Sequence, residues 1–198
     1  MKFFVNFLSA FRIAASFVII PTLWFQLTWL SLILFVLAAL SDFFDGFLAR
    51  KYDVCTKLGG VMDHIGDKLI VVNTFIMLAI MMPLWFVIVP IIIMIARELY
   101  ISGLREFLGT QKIEMPVPKA RFSLGKVKTT FQMLTITAIL TVFALSTLTN
   151  PLSAKALIVF RGLFMFGIVG LWVSLFASVA SATQYTFTFA EKLKKIKK

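Results

Sequence analysis

The chain has 198 residues, of which 60% are hydrophobic and 22 are phenylalanine, and its formal net charge is +11. A soluble protein of this length could not bury so much apolar surface, and the length suits one domain. Cys55 is the only cysteine, which also excludes an intrachain disulfide. We therefore expect a single membrane domain over residues 1–198, with a basic tail at 191–198.

Long apolar stretches follow one another along the chain. Four of them lack Asp, Glu, Lys and Arg, and each exceeds the about 20 residues that cross a bilayer as a helix: residues 13–41, 69–96, 129–154 and 162–190. The first is interrupted by Pro21 and Gln26, so we divide it at a turn near Trp24–Trp29. The predicted fold class is an all-α, polytopic membrane protein with six transmembrane helices, at about residues 6–24, 29–50, 57–81, 84–108, 124–147 and 157–189.

The basic residues indicate how these helices cross the membrane. The connections near 25–28 and 82–84 contain no Lys or Arg, and the one near 148–156 with the helix start after it holds only Lys155 and Arg161. Cytoplasmic loops are the ones rich in Lys and Arg, so this distribution predicts that both termini are cytoplasmic. The basic tail then lies on the anionic inner leaflet, and we expect no nucleic acid as partner.

Four aspartates form two pairs near the cytoplasmic ends of the second and third helices. Asp42 and Asp45 are three residues apart, and Asp63 and Asp67 are four apart, so each pair shares a helix face. The connection between these helices is short, which makes them antiparallel neighbours. The two pairs can therefore converge at one depth.

Such a group of carboxylates calls for cations, because ionisable residues at membrane depth are costly and usually mark function. All-oxygen ligation suits Mg²⁺ or Mn²⁺, and four Asp residues can bridge two ions about 3.5–4 Å apart, which clamps both oxygens of a phosphoryl displacement. The alternative is salt bridging to Arg50, Lys57 and Lys68. That alternative explains neither the spacing of the pairs nor the small residues between them.

The small residues and one arginine between the pairs suit a bound phosphate compound. Gly46, Ala49 and Gly59 let backbones approach closely, or let a flat ligand lie against the helix. Arg50 supplies a charge that suits phosphate.

Read together, the motif Asp42-x2-Asp45-Gly46-x2-Ala49-Arg50-x8-Gly59-x3-Asp63-x3-Asp67 resembles the signature of the CDP-alcohol phosphatidyltransferase family at every specified position. The resemblance implies a six-helix membrane fold, a homodimer and a site open to the cytoplasm. It implies two Mg²⁺ (or Mn²⁺) ions held by Asp42, Asp45, Asp63 and Asp67. Asp67 is then also the catalytic base, and the CDP pocket is formed by Asp42, Asp45, Gly46, Ala49, Arg50, Gly59 and Asp63.

Within the family, the chain is more similar to the bacterial members that use glycerol 3-phosphate as acceptor. The similar segments are Asn6–Arg12, Ser41–Tyr52, Ile95–Glu106 and Gly125–Gln132. The resemblance implies transfer of the phosphatidyl group of CDP-diacylglycerol to glycerol 3-phosphate with release of CMP, in the bacterial cytoplasmic membrane among its lipids. One departure is His64, which stands where these enzymes commonly have proline, and for which we expect a helix-surface or supporting role.

The acceptor brings a phosphate, so its pocket should be basic. Arg97 and Arg105 lie near the cytoplasmic end of the fourth helix, and Lys126 and Lys128 fall in the first turns of the fifth, after Ser123. Basic residues at a helix N-terminus, which is already positive, make an anion site. The alternative reading of these four cations is ordinary anchoring at the cytoplasmic surface.

Two other functions remain open at this point. The first is the same chemistry with another acceptor, as in the cardiolipin, serine or inositol phosphate types of enzyme that share the Asp signature. The second is a cation transporter, for which the four aspartates would be the ion site. Against transport, no acidic group lies on the outer half of the predicted helices, and we find no internal repeat.

Overall fold

The structure is a computed structural model that describes the backbone of residues 2–52, 57–110, 124–148 and 154–196, and side chains within 7–41, 59–110, 127–148 and 156–193. Its helices in chain order are α1 Lys2–Trp24, α2 Thr28–Tyr52, α3 Lys57–Met81, α4 Trp85–Thr110, α5 Leu124–Ser146 and α6 Ala154–Ile196. The prediction of an all-α chain with six helices is confirmed for the described residues. The predicted turn between the first two helices is confirmed as well.

The turn after α1 is a Schellman motif built without glycine. The amide of Leu27 donates to the carbonyl of Thr22 at 2.8 Å, and that of Gln26 donates to the carbonyl of Leu23 at 3.0 Å. Gln26 has φ 57°, the left-handed conformation that this motif requires. These bonds satisfy carbonyls at the end of α1 and reverse the chain into α2.

The helices are those of an integral membrane protein. Five of them are long and apolar enough to cross a bilayer, while α2 qualifies as a shorter apolar helix over Thr28–Ser41, the part whose side chains are described. Large apolar side chains are exposed along these helices; Trp85 is 70% exposed and Phe187 is 77% exposed. Exposed apolar surface on this scale requires lipid around it.

The chain divides into two compact units. The first unit comprises residues 1–83 and 133–167, and the second comprises residues 84–132 and 168–198. The single domain predicted for residues 1–198 stays a prediction.

In the first unit, α1 packs against α2 and α3. Ile19 of α1, Phe35 of α2 and Phe75 of α3 are almost fully buried. Polar bonds supplement this packing: Asn73 of α3 donates to the carbonyl of Ser16 in α1 at 2.9 Å. The first three helices are therefore fixed to one another by both apolar and polar contacts.

In the second unit, α4 packs against the later part of α6. The indole of Trp172 donates to the carbonyl of Phe86 at 3.1 Å, and its ring lies edge-on to that of Trp85 with centroids 6.5 Å apart. About two turns further along α4, the hydroxyl of Ser174 contacts the sulfur of Met94 at 2.9 Å. Small and polar residues of α6 thus let the two helices approach closely.

Helix α6 packs closely against α5 at Gly167, so a substitution at this position tests the packing of the first unit. A Cβ at this position would stand 2.7 Å from Cγ1 of Ile139, which is too close for any real contact. We expect Gly167→Ala to destabilise the protein by about 1–3 kcal/mol, the usual cost of overpacking. The measurement is thermal unfolding in detergent, with Gly162→Ala as control, because a Cβ at Gly162 meets no atom within 4 Å. Equal midpoints for the two variants would contradict the close packing at Gly167.

Candidate active site

The aspartate motif lies on two helices of the first unit, as predicted. The backbone of α2 carries Asp42, Asp45, Gly46, Ala49 and Arg50 in helical conformation. Their side chains lie outside the part that the structure describes, so their contacts stay predictions.

The second half of the motif lies in the described part of α3. Gly59 is buried near the start of α3, while Asp63 and Asp67 are partly exposed one and two turns later. His64 is exposed, which agrees with a position on the helix surface. Helix α3 begins at Lys57, well before His64, so the departure from proline leaves the start of the helix in place.

Asp63 and Asp67 are brought together by Arg12 of α1. The Arg12 Nη1 donates to Oδ1 of Asp63 at 2.8 Å and also contacts Oδ1 of Asp67. The Arg12 side chain is fully buried, whereas those of Asp63 and Asp67 are 42% and 34% exposed. The two carboxylates therefore present one side to a buried cation and another side to the surface.

Arg12 also reaches the second helix. Its Nε donates to the hydroxyl of Ser41 at 3.3 Å, and that hydroxyl donates to the carbonyl of Ala38 at 2.8 Å. Ser41 directly precedes Asp42 in the chain. One guanidinium thus connects α1 to both helices that carry the motif.

Sequence reasoning gave Arg12 no role, and it named Arg50, Lys57 and Lys68 as the alternative partners of the aspartates. A signal was available: apart from Lys2 at its start, Arg12 is the only charged residue of α1, and such a charge within an apolar helix needs a partner. What the sequence alone lacked was the identity of that partner, because Asp63 is 51 residues away along the chain.

The described carboxylates fit a hard divalent cation. Asp63 and Asp67 each bring an oxygen to the same nitrogen atom, so the two groups are close neighbours with all-oxygen donor chemistry. Within the side chains that the structure describes, no group of three or more His, Cys, Asp or Glu residues is close enough to hold a metal. A complete metal site would need further ligands, and Asp42 and Asp45 are the predicted ones.

The basic residues predicted for the acceptor lie in the second unit, where they have different partners. Arg97 donates to the carbonyl of Ser178 at 3.1 Å, the hydroxyl of Ser181 at 2.9 Å and Oε2 of Glu98 at 3.0 Å. Lys128 of α5 contacts the same Glu98 oxygen. The structure therefore brings Arg97 and Lys128 together through a shared carboxylate.

Arg105 has a neutral partner instead. Its Nη2 lies 3.0 Å from the Tyr185 hydroxyl of α6, and its guanidinium carbon lies 5.0 Å from the centre of the Tyr185 ring. Tyr185 was not singled out in the sequence, and nothing in a long apolar helix marks it. The side chain of Lys126 lies outside the described residues, so its predicted role is untested.

The amino-acid sequence is similar to those of known enzymes over most of its length. The profile of the family described as CDP-alcohol phosphatidyltransferase matches residues 3–179. A Rickettsia bellii protein named CDP-diacylglycerol–glycerol-3-phosphate 3-phosphatidyltransferase is 37% identical over 183 residues, covering 91% of each chain. A Rickettsia typhi protein of the same name is 37% identical over 191 residues, covering 93% of this chain and 96% of its own. The helices, the aspartate motif and these similarities agree, and the chain belongs to the CDP-alcohol phosphatidyltransferase family.

Proposed function

We propose that this protein transfers the phosphatidyl group of CDP-diacylglycerol to sn-glycerol 3-phosphate, giving phosphatidylglycerophosphate and CMP. The names of the Rickettsia relatives support this donor and acceptor, since their similarity extends over most of both chains. The observation that carries the chemistry is the pairing of Asp63 and Asp67 on one face of α3, which suits a site for an anionic, metal-bound diphosphate.

In the proposed reaction, the acceptor hydroxyl attacks the phosphorus that carries the lipid. A new phosphorus–oxygen bond forms, the bond from that phosphorus to the CMP oxygen breaks, and Asp67 accepts the proton of the hydroxyl. Asp67 suits this role because its side chain is 34% exposed and can therefore meet a substrate hydroxyl. General-base catalysis by a positioned side chain typically contributes about 10²–10⁴-fold.

Metal ions complete the proposed site. Members of this family are generally metal-dependent, and we propose Asp42, Asp45, Asp63 and Asp67 as ligands of two Mg²⁺ or Mn²⁺ ions. Such ions, when bound, offset charge on the diphosphate and on the leaving oxygen. Asp42, Asp45, Gly46, Ala49, Arg50, Gly59 and Asp63 are proposed to form the CDP pocket.

For the acceptor phosphate, Arg105 becomes the strongest candidate. It is half-buried and its described partner is a neutral hydroxyl, so no described carboxylate offsets its charge. Arg97 and Lys128 together bring two positive charges to the single negative charge of Glu98, so this cluster also keeps a net positive charge. Lys126 remains a proposed contributor.

The same proposal places the site on the cytoplasmic side of the bacterial inner membrane. The connections at 53–56 and 111–123 contain or adjoin most basic residues between helices, whereas those at 25–27 and 82–84 have none. This asymmetry supports cytoplasmic termini and a cytoplasmic site. A homodimer is proposed from the family resemblance.

The activity is tested by CMP release. Full-length protein in detergent, given CDP-diacylglycerol and Mg²⁺, should release CMP with glycerol 3-phosphate and not with serine, inositol or phosphatidylglycerol. Asp67→Asn should lower this rate by about 100-fold or more, because the variant cannot accept the proton. Glu191→Gln, which changes an exposed carboxylate of α6, should leave the rate unchanged.

Each other result has a definite meaning. CMP release with a different alcohol would keep the mechanism and assign another acceptor. No release with any alcohol, from protein that unfolds cooperatively, would refute the enzyme proposal and favour ion transport. A nearly normal rate in Asp67→Asn would remove Asp67 as the base.

The acceptor site is tested by steady-state kinetics. Arg105→Gln should raise the KM for glycerol 3-phosphate by about tenfold or more, since hydrogen bonds to charged groups contribute about 1.5–3 kcal/mol. The KM for CDP-diacylglycerol should stay within about twofold of the wild-type value, because Arg105 is assigned to the acceptor alone. Arg161→Gln, which changes an exposed arginine of the first unit, is the control. If both substitutions changed the acceptor KM equally, general surface charge would explain the effect.

A further inference from the structure

Arg12 is the most completely buried charged side chain among the described residues. Its side chain is 0% exposed, and it lies in an apolar helix of an integral membrane protein. Burying a charge without partners is costly, and the cost is offset only where opposite charges and hydrogen bonds are in place. Arg12 has such partners on two other helices: Ser41, Asp63 and Asp67.

The packing of α3 is adapted to Arg12. A Cβ at Gly66, which lies between Asp63 and Asp67, would stand 3.4 Å from both Cβ and Cδ of Arg12. The stem of Arg12 therefore lies directly against the bare backbone of α3. Arg12 therefore reaches both carboxylates along the α3 backbone, from within the helix packing rather than from the surface.

The negative charges of Asp63 and Asp67 favour a cation beside them whether or not metal is bound. Two ionised carboxylates that contact the same nitrogen atom repel each other, and because both are more than half-buried, water screens this repulsion only in part. A bound divalent ion would relieve that repulsion, but only when it is present. Arg12 supplies one positive charge permanently, and it does so through one oxygen of each carboxylate.

We propose that Arg12 is a positioning residue, the resident counter-cation that holds Asp63 and Asp67 together and ties them to α2 through Ser41 before metal binds. The inference rests on the proposed function in one respect, that these carboxylates are metal ligands. It adds a residue outside the aspartate motif to the construction of the site. It also implies a lower affinity for metal, because a fixed positive charge beside the ligands opposes the binding of a metal cation.

The proposal is tested by thermal unfolding of the full-length protein in detergent, with EDTA or with a fixed, subsaturating concentration of Mn²⁺. Arg12→Gln should lower the midpoint in EDTA, because the carboxylates then repel each other without the positive charge of Arg12. Mn²⁺ should raise the midpoint of this variant by more than that of the wild type. The reason is that the metal replaces the missing charge and meets no competing cation.

Asn73→Ala is the matched control. It removes the hydrogen bond from α3 to Ser16 of α1, and thus loosens the same helix pair about two turns away from the carboxylates. It should lower the midpoint in EDTA and leave the Mn²⁺-induced rise equal to that of the wild type. A merely structural role for Arg12 would give the same result in Arg12→Gln.

A rise in Arg12→Gln that is equal to or smaller than the wild-type rise would overturn the proposal. If Arg12→Gln fails to accumulate, Arg12→Met carries the test. It removes the charge and keeps an unbranched side chain that fills part of the same space. A larger Mn²⁺-induced rise than in the wild type supports the proposal, and an equal rise overturns it. The measurement needs no turnover, so it can succeed or fail independently of the CMP assay.

Discussion

An arginine without access to water must meet its partners inside the protein, and this requirement organises the first unit. Arg12 contacts α2 at Ser41 and α3 at Asp63 and Asp67. The Arg12 side chain is fully buried and has no access to solvent, so a shift of one helix along another leaves its charge unpaired at a high cost. The apolar residues around Ile19 and Phe35 fill space, but they would tolerate several similar packings. The ion pair adds directional contacts that favour one of these packings.

The second unit also contains cations with little access to water, but uncharged groups supply part of their contacts. Arg97 is almost buried, and α6 satisfies it with a backbone carbonyl and a serine hydroxyl while Glu98 supplies the negative charge. Glu98 is shared with Lys128, so α4, α5 and α6 are connected through one carboxylate. Arg105 lacks a described carboxylate and is held by the hydroxyl and the ring of Tyr185. Among the described residues of this unit, Arg97 thus has a carboxylate partner, whereas the partner of Arg105 is neutral.

Helix number and most helix bounds could be predicted from the sequence because they depend on local properties, namely charge-free runs and the turn after Pro21. The start of α1 at Lys2 and the end of α6 at Ile196 lie outside the predicted bounds. The positions of Asp63 and Asp67 on one helix face followed from helical periodicity for the same reason.

Contacts between helices could not be predicted, because Arg12 and Asp67 are 55 residues apart and Glu98 and Lys128 are 30 apart. The left-handed Gln26 was also missed, since glutamine is not the usual residue at that position of a helix end. The contacts of Asp42, Asp45 and Lys126 lie beyond the described side chains.

The distance between Arg12 and its partners along the chain also matters while the protein is being made. Helix α1 leaves the ribosome about fifty residues ahead of Asp63, so its arginine reaches the membrane before any carboxylate that could pair with it. A lone arginine costs about 2.5–3.5 kcal/mol on translocon scales at a helix centre, and less towards a helix end, where Arg12 lies within the span Phe7–Trp24. The first helix therefore carries part of this cost until Asp63 and Asp67 have been made. The arrival of α3 then stabilises α1 in the membrane by pairing its arginine.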